Sequence, residues 1–393
     1  MTFSVKRNLS ALYLVKIAKW MNLIMPVIVL FYKSNGLTMQ DIFLLQSAYS
    51  FTLMILEIPT GYFADKVGRK TSILFGSVLG FSGYMVYSLS FGFWQFVIAE
   101  IILGVSQSLV SGADSAMLYD TLIAAKQKDK YTRLEGKITS IGNFGEALAG
   151  IIGGLLAVSS LRTPFYVQTC VALIALPAAL MLIEPPVQSR QTKPRLKDVW
   201  NIIFSVLHGN TKLKWNTLFS AIIGASTLTM AWFAQPYFGL IKLPISMYGV
   251  VWAFLNLSVG LAAMYAWRVE IKYGPSRTVT FFTLMIFLSF LLLTLVPGYI
   301  GMFVLFLFYI ARGLATPILR NYINIITTSE VRATVLSVRN FIIRFIFAVT
   351  GPFWGWITDS YSLQTAILLA GIIYGLFALI SLFFFLKHKT YIP

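Results

Sequence analysis

Ionisable side chains interrupt runs that are otherwise apolar. Lys16, Lys19, Glu57, Glu100, Asp114 and Glu146 do so early in the chain, and Arg312, Arg320, Arg339 and Arg344 late, where the flanking apolar residues include no acid. A charge at mid-bilayer costs on the order of 3 kcal/mol on insertion scales, so such residues face a cavity or a partner. Acids early and arginines late suggest pairing across a central, water-accessible cavity. Counted along their helices, Glu146, Arg312 and Arg344 fall near the membrane midplane. A carboxylate there, desolvated when a cavity closes or held ionised by an arginine, is what proton coupling needs. Lys19, Arg312 and Arg344 would receive a carboxylate or another anionic group. A permanent Glu/Arg pair joining two parts of the protein remains the alternative for each residue. Gln107, Ser111 and Asp114 fall at i, i+4 and i+7, a polar stripe on one helix face that makes Asp114 a second proton-coupling candidate, and Glu100 extends the stripe outward. Lys16, Arg320 and Arg339 lie within reach of the inner interface and can snorkel to it.

Aromatic and amide groups add a third element. Trp232, Gln235, Pro236 and Tyr237 occupy one apolar run, and Trp252 and Asn256 the next. Pro236 should interrupt its helix and free carbonyls near the outer end. The three side chains around it, with Trp252 and Asn256, make either a substrate platform or an interfacial aromatic belt.

The elements that position these groups are membrane spans. Of 393 residues 58% are hydrophobic and 11% charged, against about 25% charged in a soluble domain. With about 20 apolar residues per span, spans are expected near 9–32, 40–63, 71–90, 94–120, 134–158, 164–183, 214–240, 246–268, 278–296, 299–325, 333–357 and 363–386. The expected fold is an all-α membrane protein of twelve transmembrane helices in two six-helix bundles, 1–184 and 214–393, joined by a cytoplasmic linker at 185–213 with a short surface helix near Leu196–Leu207. The net charge of +17 follows the membrane. With both termini in the cytoplasm, the outside segments hold only Lys33, Arg162 and Lys242, which is the positive-inside pattern. That distribution assigns the basic balance to orientation in a lipid bilayer and leaves nucleic-acid binding without support. The lone Cys170 and the separated His208 and His388 offer neither a disulfide nor a metal set, no catalytic cluster stands out, and no cofactor beyond a coupling proton is expected.

An internal repeat is locatable: a displacement of 201 positions carries Gly150 onto Gly351 and Gly154 onto Gly355. Between the second and third spans, Gly61-Tyr-Phe-Ala-Asp65-Lys-Val-Gly68-Arg69-Lys70 resembles the signature loop of the major facilitator superfamily, whose members are built from two parallel six-span repeats. The resemblance implies a secondary transporter, a monomer, with a small-molecule substrate bound among the first, fourth, seventh and tenth spans. It also implies an inner latch that stabilises the outward-facing state, in which Asp65 faces the N-terminus of the eleventh span near Val331 and Arg69 meets Asp120, while Glu57, spaced by four from Gly61 and eight from Asp65, supports it. The second-half counterpart keeps Gly274 but has Ile271 in place of the acid, so the latch is expected to be one-sided. Gly136, Gly145, Gly153 and Gly154 resemble the fifth-span pattern of drug/proton antiporters, although Ala149-Gly150 replaces the usual Gly-Pro. The functional expectation is proton-coupled transport of an anionic or amphipathic organic solute across a bacterial inner membrane, with a lean to efflux. Import of a nutrient or siderophore-like metabolite, an uncoupled anion facilitator, and a lipid scramblase are the alternatives.

Overall fold

The computed structural model describes residues 4–127, 130–186, 204, 206, 208–296, 298–327 and 332–391. Val331 and most of the segment 196–207 lie outside them. Apolar runs without exposed polar backbone can only be helices in a bilayer, and among the described residues the regular structure is helical throughout. The first half gives α1 (Val5–Trp20), α2 (Ile28–Ser34), α3 (Met39–Val67), α4 (Arg69–Leu89), α5 (Phe93–Val110), α6 (Ala113–Ala124), α7 (Tyr131–Ser159) and α8 (Thr163–Met181). The second gives α9 (Thr211–Leu240), α10 (Ile245–Tyr273), α11 (Pro275–Leu295), α12 (Ile300–Ile326), α13 (Arg332–Ser360) and α14 (Leu363–Lys387).

Among the described residues nine helices, with α5 and α6 taken as one, are long and apolar enough to span a bilayer, and the two arms of α3 that meet at Pro59 make a tenth. The spans that complete six per half are α1 with α2, which is broken, and α7, which carries Glu135, Lys137 and Glu146. The fold is therefore that of two six-helix bundles. Helix pairings repeat between the halves: α4 packs on α5 and α8, and α1 on α8 and α7; correspondingly α11 packs on α12 and α14, and α9 on α14 and α13.

The chain divides into two compact units, Met1–Leu37 with Ala48–Pro194 and Pro244–Ala253, and Thr38–Ser47 with Arg195–Leu243 and Phe254–Pro393. The first turns of α3 thus count with the second unit and those of α10 with the first. Glycine explains both exchanges. In the first unit, a Cβ on Gly249 would lie 2.2 Å from the Gly150 carbonyl oxygen, and one on Gly154 would lie 2.7 Å from the Gly249 nitrogen. In the second, a Cβ on Gly355 would lie 2.6 Å from the Gln40 Cα, and one on Gly351 would lie 2.9 Å from the Phe43 ring. The 201-residue repeat therefore marks two equivalent close crossings, α7 on α10 and α13 on α3, of the kind small residues permit. At the second crossing the Asp359 carboxylate accepts from the backbone N–H groups of Met39 and Gln40 at 3.0 and 2.8 Å, satisfying donors that the start of α3 leaves open.

Three expectations change. The first span breaks at residues 21–27, where Pro26 removes a donor and Gln168 Oε1 accepts from Leu23 N at 2.8 Å in place of the lost helical bond. The fourth breaks at Ser111 and Gly112, where Gly112 takes φ +80°, a conformation glycine adopts at little cost. The stripe from Gln107 to Asp114 is consequently not one helix face, because the turn resets the angular register. Conversely, α9 runs through Pro236 to Leu240; so close to the C-terminus the proline forfeits one helical bond without ending the helix, as membrane helices tolerate.

Candidate functional site: a charge cluster at two broken spans

The two breaks create helix ends inside the membrane. The last turn of α1 carries Lys19, with Lys16 one turn earlier, and the first turn of α6 carries Asp114. Cations near a C-terminus and an anion near an N-terminus both complement the helix dipole. The three charges meet: Lys16 Nζ lies 3.1 Å and Lys19 Nζ 3.7 Å from Asp114 Oδ2. Glu135, in the second turn of α7, joins them, with Oε1 3.4 Å from Lys16 Nζ and accepting from Ser115 Oγ at 2.8 Å. Asp114 Oδ1 accepts from Ser115 N at 2.6 Å, and its side chain is only 4% exposed. Glu135 Oε2 is buried and has no hydrogen-bond partner among the described residues.

The cluster is held against α7 by its glycines. A Cβ on Gly142 would lie 2.9 Å from the Trp20 ring, one on Gly145 3.4 Å from Met21 Cγ, and one on Gly153 1.8 Å from the Leu23 carbonyl oxygen. The glycine pattern along the fifth span thus lets the broken segment of the first span lie flat on α7.

Of the residues singled out in the sequence, Asp114 and Lys19 are brought together. Lys16 does not snorkel; it is 9% exposed and paired with both acids. Glu100 is not an extension of the polar stripe: at 4% exposure it accepts from the hydroxyls of Tyr32 and Tyr87 at 2.8 and 2.7 Å, among the rings of Phe31, Phe96 and Phe165. Glu135 was missed because an acid at the start of a span reads as interfacial; a count of neighbours at its depth would have found it, but that needs the fold.

Glu146 is half-buried in the first unit; Arg312 and Arg344 are half-buried in the second. The Arg312 guanidinium stands 5.8 Å from the Tyr309 ring centre. Tyr237 donates to the Gly298 carbonyl at 3.2 Å, pinning the α11–α12 turn; Trp252 packs beside Gly150. Trp232 and Gln235 are buried in the second unit, and Asn256 is half-buried there.

At the signature loop, Arg69 Nε lies 2.6 Å from Asp120 Oδ2, and Arg69 Nη2 3.9 Å from Asp65. Gly61 precedes them on α3 and Glu57 is exposed. Glu184 supplies a part the sequence hid. Its carboxylate accepts from the backbone N–H groups of Arg69 and Lys70, both at 2.8 Å, closing the N-terminus of α4. Gly68 makes this possible at φ +118°, where a Cβ would lie 3.2 Å from that carboxylate.

Two six-span repeats with a charge cluster at broken helices define a polytopic α-helical membrane protein. The family model described as Major Facilitator Superfamily matches residues 14–269, and the chain belongs to that superfamily. Quinolone resistance protein NorA of Staphylococcus aureus (strain MSSA476) is 27% identical over 213 residues, 53% of this chain and 50% of that protein. For the same protein of strain N315 the figures are 30% over 167 residues, 42% of each. Multidrug resistance protein 2 of Bacillus subtilis (strain 168) is 25% identical over 162 residues, 41% of this chain and 40% of that one. The chain thus spans half or less of the length of these curated relatives. Among solved structures, the nucleoside transporter NupG superposes with a TM-score of 0.82 at 16% identity, covering 97% of this chain and 99% of that one. A D-xylose-proton symporter gives 0.74 at 15%, covering 99% and 98%. At such identities these two show the fold.

Proposed function

We propose that the protein is a secondary transporter that works by alternating access and moves a small organic solute bearing an anionic group, or an amphipathic one, across a bacterial cytoplasmic membrane in exchange for protons. The observation that carries this reading is the meeting of two interrupted spans at a buried cluster of charge. Transporters build substrate and ion sites from the ends of discontinuous helices, and ionisable groups inside a membrane mark pathways. Asp114 is fixed by two lysines and acts as their counter-ion. Lys19, the more distant of the two at 3.7 Å, receives the substrate's anionic group. Glu135, with one oxygen unbonded among the described residues, and Glu146 carry the proton. Arg312 and Arg344 supply further positive charge to the path. The lean to efflux is supported by relatives whose names are those of drug-resistance proteins, and the basic excess supports cytoplasmic termini.

Norfloxacin, a fluorescent quinolone bearing a carboxylate, is a suitable probe. Purified protein in proteoliposomes should move it against its gradient when a pH difference is imposed, and Glu146→Gln should reduce that response. Flux indifferent both to the pH difference and to Glu146→Gln would remove proton coupling from the account.

A further inference from the structure

Among the described residues, the second unit holds a buried cation with no carboxylate within ion-pair distance. Arg339, two turns into α13, is 5% exposed. Its Nε donates to Ser220 Oγ of α9, and its Nη1 donates to Asn340 Oδ1 at 3.2 Å. No carboxylate among the described residues lies within ion-pair distance of it. Of the described acids of the second unit, Asp41 and Asp359 are engaged at the start of α3, and Glu270 of α10 interacts with Tyr322 of α12. Arg320 of α12, a helix in contact with α13, is a second cation whose charge acts on Arg339, and its side chain is exposed.

Depth makes the grouping coherent. At 1.5 Å per residue, Arg339 and Ser220 stand about 10 and 14 Å from the starts of α13 and α9, and Arg320 about 9 Å from the end of α12. These are the same ends of their spans, and α12 and α13 both pack on α9. Two guanidinium groups near one another inside a membrane repel, and a guanidinium so deeply buried with only neutral acceptors carries a large desolvation cost. Both costs fall when an oxyanion sits between the cations, and the fork geometry of arginine fits carboxylate and phosphate oxygens.

We propose that Arg339 and Arg320, with Ser220 and Asn340 orienting the first of them, form an oxyanion-binding site in the second unit that takes the carboxylate or phosphate of an amphiphile. The site stands on the geometry of this unit and not on the transport reading. It is separate from the lysine cluster and does not use Arg312 or Arg344. A free anionic solute and the headgroup of an anionic lipid share this chemistry.

Thermal unfolding of the full purified chain, followed by tryptophan fluorescence, tests it. In uncharged detergent at constant ionic strength, inorganic phosphate and octanoate are titrated against chloride. In nanodiscs, phosphatidylglycerol is compared with phosphatidylcholine. A saturable rise in Tm with phosphate or octanoate supports a solute, and one confined to phosphatidylglycerol supports a lipid. Either rise should vanish in Arg339→Gln and persist in Arg277→Gln, at an exposed cation of α11. Arg320→Gln, at an exposed position that tolerates substitution, should weaken half-saturation roughly tenfold, which keeps the test decisive should Arg339→Gln fail to fold. Absence of any anion-specific rise in the wild-type protein overturns the site, as does a rise undiminished in Arg320→Gln or in a folded Arg339→Gln.

Discussion

Replacing Asp114 by Asn should strand a lysine in the membrane, and the structure says which one. Asp114 Oδ2 serves Lys16 at 3.1 Å and Lys19 at 3.7 Å. Lys16 keeps Glu135 at 3.4 Å, whereas Lys19 has no second carboxylate within 4 Å among the described residues. The amide can still accept from Ser115 N, so the start of α6 stays capped and the change isolates charge. Removing one partner of a fully buried pair costs about 3–5 kcal/mol. With Lys16 still paired and the Lys19 side chain 24% exposed, we expect a loss below that range, about 2–3 kcal/mol. At about 2–4 °C per kcal/mol, Tm should fall by roughly 5–10 °C in detergent. The informative variant is the double one: Lys19→Gln in the Asp114→Asn background removes the stranded cation and should recover part of the loss. Lys19→Gln alone should cost less than Asp114→Asn, because Asp114 retains Lys16. The assay is tryptophan-detected unfolding of the wild-type protein, both single variants and the double. If the double variant's loss equals the sum of the single losses to within about 0.5 kcal/mol, the two side chains are uncoupled and the cluster is not an electrostatic unit.

Three further outcomes follow from the packing. Gly154→Leu and Gly355→Leu should each cost at least about 1–3 kcal/mol through overpacking, whereas Gly260→Ala, which meets nothing within 4 Å, should stabilise by about 0.5–1 kcal/mol; Tm measurements on the three decide. Glu184→Ala removes two charge-assisted acceptors from the start of α4 and should cost about 1–2 kcal/mol, with Gly68→Ala also destabilising because of its φ of +118°; an unchanged Tm in both would refute the capping role. Asp65→Asn leaves the Arg69–Asp120 pair at 2.6 Å intact, so folding and expression should be preserved while turnover in proteoliposomes falls; unchanged turnover would count against an inner latch.

Hydropathy and charge placement made the fold legible, because a bilayer forces every apolar run to satisfy its own backbone. The repeat Gly150/Gly154 and Gly351/Gly355 was visible as spacing, and its meaning, two close helix crossings, needed coordinates. Lys19 and Asp114 stood out individually as charges among apolar residues. Their meeting was not readable, since it depends on the turn at Gly112 and the interruption at residues 21–27, neither of which disturbs the hydropathy of its run. The Glu184 cap was invisible for another reason: a carboxylate bonding to backbone amides 115 residues away leaves no residue-type signature at the receiving end. Arg339 resembled a snorkelling side chain because distance from the interface can be counted in a sequence, whereas the wall of neighbours that buries it cannot.

The central claim, that the charge cluster at the two broken spans binds substrate and couples its movement to protons, is tested most directly by substrate-induced current on a solid-supported membrane. Addition of norfloxacin to proteoliposomes should evoke a transient proton current in the wild-type protein, and Lys19→Gln, reconstituted to the same density, should lose it while retaining a cooperative unfolding transition. A Lys19→Gln current equal to the wild-type one would place binding and coupling outside the cluster.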